Sequence, residues 1–147
     1  MVLDDEYFMR AALTEAKAAL ALDEVPIGAV IVAGGKIIAR GHNLVERLND
    51  VTAHAEMMAF TAAAQSLGGK YLKDCTLYVT LEPCPMCAGA AFWSQLSRLV
   101  FGAADPKRGF SLLEDSKKIL HPGTEVRSGV LEADCSALLK DYFRSKR

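Results

Sequence analysis

The hydrophobic and polar positions of this chain alternate between helical and extended patterns. Residues 4–22 carry apolar side chains at helical spacing behind an acidic N-terminal cap, which predicts a first helix. Residues 25–32 are rich in β-branched side chains, and residues 36–41 form a second extended run. Gly34 and Gly35 separate these runs, and because both tolerate positive φ angles, we expect an antiparallel hairpin here.

The rest of the chain repeats an order of strands and helices. Thr52 is expected to cap a helix that Gly68 ends. Residues 44–51 and 105–109 are predicted to be loops, and residues 111–120 are ambiguous, with a short helix as one interpretation. The predicted helices cover 53–67, 86–94 and 131–143, and the predicted strands cover 76–81, 98–103 and 125–128.

This order of elements predicts an α/β fold. Strands that alternate with helices usually pair in parallel, whereas the two strands of a hairpin are antiparallel. We therefore expect a three-layer αβα arrangement around a mixed five-stranded sheet. The sequence contains no internal repeat, low-complexity segment or linker, so residues 1–147 are predicted to form one domain.

Length and composition are typical of a globular domain with a sizeable core, since 51% of the 147 residues are hydrophobic. No run approaches the roughly 18 uninterrupted apolar residues that cross a membrane. Residues 1–6 are acidic and lack the basic-then-apolar order of a secretion signal. We therefore expect a cytoplasmic protein that has no membrane partner.

The overall charge does not indicate nucleic-acid binding, because the net charge is −1. Basic residues nevertheless gather at 107–108, at 117–118 and in the tail 140–147. Such local clusters can bind phosphates even on a protein of balanced charge. The alternative is that they are solvated helix ends, where cations suit the helix dipole.

Two short motifs carry the candidate chemistry. His54 and Glu56 lie in His-Ala-Glu, and Cys84 and Cys87 lie in Pro-Cys-Pro-Met-Cys. One imidazole and two thiols suit zinc, and three protein ligands leave a fourth position open, as in catalytic zinc sites. Cysteines three positions apart on a helical turn can reach one ion, and a helix N-terminus favours their thiolates. Glu56 would then be free to move protons.

Residue spacing alone does not bring Glu56 to the metal, because positions i and i+2 point about 200° apart on a helix. An irregular helix start would be needed. A Cys-x-x-Cys pair can also be a redox dithiol, and a structural zinc site could recruit Cys75 or His42 as its fourth ligand. Without a secretory context, disulfides are not expected, so Cys75 and Cys135 are predicted to be buried thiols.

The order His-Ala-Glu followed by Pro-Cys-x-x-Cys resembles the signature of the zinc-dependent nucleobase deaminases. Over nearly its whole length, the chain is similar to the bacterial tRNA-specific adenosine deaminases of that superfamily. The resemblance implies a cytidine deaminase-like fold, one Zn²⁺ per subunit, a homodimer, and conversion of adenosine to inosine at wobble position 34 of a tRNA. The matching segments are 25–30, 41–43, 50–56, 77–90, 100–109 and 141–144.

The resemblance also implies roles for individual residues. His54, Cys84 and Cys87 would bind zinc, and Glu56 would carry protons while a zinc-activated hydroxide attacks C6 of adenine. The partner would be the anticodon arm of a tRNA, with the arginine tRNA expected. The expected substrate contacts are Asn43, the backbone N–H of Ala55, the pocket residues Val25, Pro26 and Ile27, the nucleotide contacts Asp105 and Lys107, and the anticodon-loop contacts Phe143 and Arg144.

The chain departs from the family pattern at Val51, where proline is common, at Pro85, where valine is common, and over 109–119. None of these positions is an expected metal ligand. Free cytosine and guanine deaminases share the zinc motif, so a free-base deaminase is the alternative function. A non-catalytic, zinc-stabilised RNA-binding module is a further alternative, although such a module would have no use for Glu56.

Overall fold

A computed structural model of the chain describes residues 3–147, so Met1 and Val2, which begin the acidic N-terminal segment, lie outside the described residues. Asp4 caps the first helix as predicted, because its side chain accepts a hydrogen bond from the N–H of Tyr7 at 2.9 Å. The elements in chain order are α1 (Asp5–Ala21), β1 (Gly28–Ala33), β2 (Lys36–His42), α2 (Val45–Leu48), α3 (Ala55–Leu67), β3 (Cys75–Leu81), α4 (Pro85–Trp93), β4 (Arg98–Ala103), β5 (Glu125–Arg127) and α5 (Glu132–Ser145).

The strands form a mixed five-stranded sheet in the order β2-β1-β3-β4-β5. β1 pairs antiparallel with β2 and with β3, whereas β4 is parallel to both β3 and β5. The turn between β1 and β2 places Gly34 and Gly35 at φ angles of +57° and +75°, which residues with a side chain rarely adopt. The predicted hairpin and the predicted mixed sheet are both confirmed.

Helices cover both faces of the sheet, and a hydrophobic core lies on each face. Successive residues of a strand pack into opposite cores, because their side chains point to opposite faces. Val30 packs on one face with Met9 of α1 and with residues of α5. Its neighbour Ile31 packs on the other face with Ala59 of α3 and with residues of α4. This is the predicted three-layer αβα architecture.

Two predictions about the segment before α3 are wrong. Four residues of the predicted loop 44–51 form α2, because a single helical turn is too short to show an apolar repeat in the sequence. Thr52 does not cap α3, since its N–H and its hydroxyl both bond to the Asp50 carboxylate, at 2.8 and 2.7 Å. α3 instead begins at Ala55, and His54 occupies the N-cap position.

The remaining elements follow the predictions except at their ends. The ambiguous segment forms 3₁₀ turns at Phe110–Leu112 and Ser116–Lys118. The segment 25–27 precedes β1 rather than belonging to it. Cys75 and Cys135 are buried, as predicted, and burial is the main cause that raises the pKa of Cys135 to about 12. Within residues 3–147, no helix is both long enough and apolar enough to cross a bilayer.

Candidate metal centre and active site

Three potential metal ligands converge where two helices begin. His54 is the N-cap residue of α3, Cys84 is the N-cap residue of α4, and Cys87 lies in the first turn of α4. His54 Nδ1 is 3.5 Å from the Sγ atom of each cysteine, and all three ligand atoms lie within 4.8 Å of one another. The structure therefore brings together the three ligands that the sequence predicted.

The surroundings of the two thiols favour metal binding. The pKa of Cys84 is lowered to about 4, chiefly by its hydrogen bond with Cys87 and further by the His54 ring. The pKa of Cys87 is raised, by the Cys84 sulfur beside it and by burial. A divalent cation bound to both sulfurs would displace the proton that Cys87 retains. Two sulfur donors and one imidazole form a donor set that zinc prefers, so these residues fit a zinc ion.

Glu56 lies beside this cluster without belonging to it. It is buried in the first turn of α3 and contacts the Cys87 thiol, and burial is the main cause that raises its pKa to about 7. A carboxyl with a pKa near neutrality can both accept and release protons at physiological pH. His54 has an extended backbone, with φ −72° and ψ 155°, so its side chain and that of Glu56 do not point about 200° apart as they would on a regular helix. The irregular helix start that Glu56 needs in order to approach the metal ligands is therefore present.

The residues considered as fourth ligands of a structural zinc site lie elsewhere. His42 ends β2, and its Nδ1 is 3.0 Å from a carboxylate oxygen of Glu15. Cys75 begins β3, and its thiol faces the backbone carbonyl of Lys73 at 3.6 Å. In the described part of the chain, neither side chain joins the ligand cluster. The structure therefore excludes a structural site completed by His42 or Cys75.

A cavity of about 260 Å³ opens beside the ligand cluster. Four of the predicted substrate contacts line it, namely Val25, Ile27, Asn43 and Ala55. Pro26 is fully buried and does not line the cavity, so it can only support the wall from behind. The complete lining consists of Glu24, Val25, Ile27, Asn43, Val45, Glu46, His54, Ala55 and Tyr142.

Asn43 presents an unused hydrogen-bond acceptor at this cavity. Its side chain is buried, and its Nδ2 atom donates to the carbonyl of Val25 at 3.4 Å. Its Oδ1 atom has no hydrogen-bond partner among the residues that the structure describes. An unpaired buried acceptor costs roughly 1–3 kcal/mol, and native proteins pair such atoms wherever they can. A ligand with a suitable donor would therefore gain from binding here.

A larger groove of about 900 Å³ adjoins the cavity, since Val25 and Ile27 border both spaces. The side chains of Phe143 and Arg144 are largely exposed there. Asp105 uses Oδ1 to accept the N–H groups of Lys107 and Arg108, each at 3.0 Å, so it fixes a turn of its own backbone. The groove brings together the four predicted nucleotide contacts: Asp105, Lys107, Phe143 and Arg144.

Comparison with known families agrees with this site. A family model described as the cytidine and deoxycytidylate deaminase zinc-binding region matches residues 3–103, which include His54, Cys84 and Cys87. The chain belongs to this deaminase family. The predicted family and its dependence on zinc are therefore confirmed.

Individual relatives of this deaminase include tRNA-specific adenosine deaminases and a guanine deaminase. The tRNA-specific adenosine deaminase of Bacillus subtilis is 49% identical, over 97% of this chain and 91% of its own. A solved structure from biochemical and structural studies of A-to-I editing by tRNA:A34 deaminases has a TM-score of 0.85 at 44% identity, over 90% of this chain and 99% of its own. A guanine deaminase from Nitrosomonas europaea has a TM-score of 0.85 at 31% identity, over 97% of this chain and 86% of its own. The predicted cytidine deaminase-like fold is confirmed.

Four cavity residues of the deaminase were not predicted from the sequence, namely Glu24, Val45, Glu46 and Tyr142. Glu24 is fully buried, and its carboxylate accepts the N–H groups of Glu46 and Arg47, at 3.0 and 2.6 Å. It therefore holds α2 against the cavity. Tyr142 lines the cavity from α5, beside the chain segment that carries Glu24. An acid directly before an apolar segment is a weak signal for Glu24. Tyr142 lies in the family-matching segment 141–144, in which only Phe143 and Arg144 were expected to be contacts.

Proposed function

We propose that this deaminase converts adenosine to inosine at wobble position 34 of a tRNA, with consumption of water and release of ammonia. The observation that carries the proposal is that the cavity beside the ligand cluster shares a border with the groove that contains Lys107, Phe143 and Arg144. A free base would occupy only the cavity, whereas a base turned out of an RNA loop needs a surface for its neighbours. Identity with tRNA-specific adenosine deaminases supports the same substrate.

The reaction assigned to the site is hydrolysis at C6 of adenine. His54, Cys84 and Cys87 would hold a zinc ion, whose Lewis acidity makes water nucleophilic at neutral pH. Glu56 takes a proton from the attacking water, because it is the buried carboxyl beside the ligand cluster. Glu56 then delivers this proton to N1 of the ring, takes the second proton from the hydroxyl group now on C6, and passes it to the leaving amine. The bond between C6 and the exocyclic nitrogen breaks, and the products are inosine and ammonia.

Three features of the cavity would hold the base. Asn43 Oδ1 accepts a hydrogen bond from the substrate, since it has no partner among the described residues. The N–H of Ala55, the first residue of α3, lacks an acceptor within its helix and can donate to the ring. Val25 and Ile27 supply apolar walls where the cavity meets the groove.

The groove suits the anticodon arm of a tRNA, and the family resemblance favours the arginine tRNA. Phe143 offers an exposed ring on which an unpaired base can stack. Lys107 and Arg144 offer cations for phosphates of the loop. Asp105 holds its turn through Oδ1 and keeps its other oxygen for a nucleotide. The cytoplasmic location expected from the sequence stays a prediction.

We further propose a homodimer, because α4 exposes large apolar side chains on one face. Met86 and Trp93 lie two helical turns apart, and Trp93 is 77% exposed. Gly89 lies between them with open space above it. Grouped apolar side chains of this kind mark protein interfaces. Light scattering should report twice the chain mass of 15.9 kDa, and a monomer at micromolar concentration would contradict the proposal.

The deciding experiment incubates zinc-loaded protein with an anticodon stem-loop that carries A34. Mass spectrometry of the digested RNA should find inosine, and a control loop with guanosine at 34 and adenosine elsewhere should remain unchanged. Absence of inosine in the first RNA would overturn the proposal.

Parallel reactions with free guanine and free cytosine test the alternative, which the structural likeness to a guanine deaminase favours. Turnover of a free base at the rate of the stem-loop would support that alternative. Bound zinc without ammonia release from any of these substrates would instead indicate a non-catalytic RNA-binding module.

A further inference from the structure

Glu82 is a buried carboxylate for which the reaction has no use. It lies between the end of β3 and the ligand Cys84, and it is 3% exposed. One of its oxygens accepts the N–H of Asp105 at 3.1 Å, and the other accepts the N–H of Ser111 at 2.9 Å. Both donors belong to residues 104–111, a segment named here the groove loop. Glu82 therefore bonds to this loop near both of its ends.

The groove loop wraps closely around this carboxylate. The loop passes Glu82 at Gly109, where an added Cβ atom would overlap the carboxylate carbon and both oxygens. Gly109 has a φ angle of −62°, so the glycine is required for space rather than for an unusual backbone conformation. The next residue, Phe110, donates its N–H to the carbonyl of Pro83 at 3.0 Å. The loop is thus attached to the segment that carries the metal ligands.

The same loop carries the cations of the groove. Asp105 receives the Glu82 hydrogen bond through its backbone and holds the N–H groups of Lys107 and Arg108 through its side chain. Both basic side chains line the groove and are exposed. A continuous set of hydrogen bonds therefore runs from Glu82, two residues before the ligand Cys84, through Asp105 to the turn that presents these cations.

We propose that Glu82 is a positioning residue for RNA binding, and that it holds the groove loop in a fixed position relative to the cavity. The proposal rests on the proposed function, since it assigns the loop to contacts with the anticodon arm. Only a carboxylate suits this place, because it accepts at both oxygens and donates at neither. A glutamine would turn its NH₂ group toward one of the two backbone N–H groups. Fixed supports of this kind let a binding site act without reorganising.

The test compares two variants that disturb the contact from opposite sides. Glu82→Gln removes one acceptor, and Gly109→Ala keeps the carboxylate but pushes the loop away from it. Glu114→Gln is the matched control, because it removes an exposed carboxylate just beyond the loop. Should Glu82→Gln prove insoluble, Gly109→Ala carries the test.

Three readouts apply to each zinc-loaded protein: zinc content, hydrogen–deuterium exchange of peptides that cover 104–111, and KM and kcat with the A34 stem-loop. Both loop variants should retain zinc, exchange faster within 104–111 alone, and raise KM by about tenfold or more, the effect of one hydrogen bond to a charged group. The value of kcat should change far less than KM. The Glu114→Gln protein should match the wild type throughout.

Unchanged exchange and unchanged KM in both loop variants would overturn the proposal. Zinc loss with faster exchange over the whole chain would also overturn it, since Glu82 would then support the fold rather than the loop. A wild-type protein that leaves the stem-loop unmodified would contradict the proposed function instead. In that case, faster exchange confined to 104–111 would still establish the attachment of the loop but remove its assignment to RNA.

Discussion

Asp5 joins the first helix to three strands, and its replacement should destabilise the protein by a calculable amount. Its carboxylate accepts hydrogen bonds from Tyr78 of β3 at 2.7 Å and from Arg98 of β4 at 2.7 and 2.8 Å. Arg127 of β5 also pairs with it. The side chain of Asp5 is only 12% exposed, so solvent screens these contacts weakly. The Asp5→Asn change would keep the shape but turn an NH₂ group toward two guanidinium groups.

We expect Asp5→Asn to lower the free energy of unfolding at pH 7 by about 2–4 kcal/mol, the range for lost charged hydrogen bonds and a partly buried cation left unpaired. The Arg98 hydrogen bonds hold the pKa of Asp5 far below its ordinary value of 3.8. A depressed carboxyl pKa gives stability that is complete above the unfolded pKa and is lost as the pH falls toward the folded one. The Asn penalty should therefore shrink by about 1 kcal/mol between pH 7 and pH 3.

Urea unfolding at both pH values measures this penalty directly. Glu6→Gln is the matched control in the same helical turn. Glu6 is 57% exposed and pairs with Arg10 at the long distance of 3.8 Å, so this ion pair is weak. Its loss should change the free energy of unfolding by less than about 0.5 kcal/mol. Metal release at acidic pH affects each protein equally and cancels in the difference. Equal effects of the two substitutions, or an Asp5→Asn penalty that does not change with pH, would refute this reasoning.

Three further changes probe the site and the backbone. Glu56→Gln should retain zinc by metal analysis yet lower kcat about 10²- to 10⁴-fold, because Gln cannot carry protons, and zinc loss in step with activity would disprove its role. Asn43→Ala should raise KM for the stem-loop about tenfold at most, since one neutral hydrogen bond is lost, and an unchanged KM would remove Asn43 from the substrate contacts. Gln95 has a φ angle of 57°, so Gln95→Gly should raise stability by about 1 kcal/mol in thermal unfolding. The same change at exposed Gln65, within α3, should lower stability by about 1 kcal/mol, and an equal effect at both positions would contradict this account.

Much of the fold was predictable because its signals are local. The helix α1 begins directly after its cap Asp4 and carries an apolar repeat, and the hairpin turn consists of two adjacent glycines. α2 escaped prediction because four residues cannot show a helical period. Thr52 has the residue type of a helix cap, but Asp50 takes both of its hydrogen-bond donors, a competition that sequence alone does not reveal.

The metal ligands were predictable because zinc requires particular residue types at short spacing, and His54, Cys84 and Cys87 satisfy that requirement. Glu24 and Glu82 could not be predicted in the same way. Their partners are backbone N–H groups of segments 22 to 29 residues away, and every sequence contains such groups. A buried carboxylate bound only to backbone leaves no pattern of partner residues in the sequence.

Chemistry and substrate choice are assigned to different parts of the fold. The ligand cluster and Glu56 lie at the starts of α3 and α4, which share one core beneath the sheet. The positive ends of both helix dipoles favour thiolates there, and Ala55, the first residue of α3, lines the same cavity. The cavity wall and the groove also include the segment before β1, α2, the groove loop and α5. Glu24 fastens α2, and Glu82 fastens the groove loop. A guanine deaminase has the same fold, so we expect substrate preference to depend on these fastened segments rather than on the helix starts.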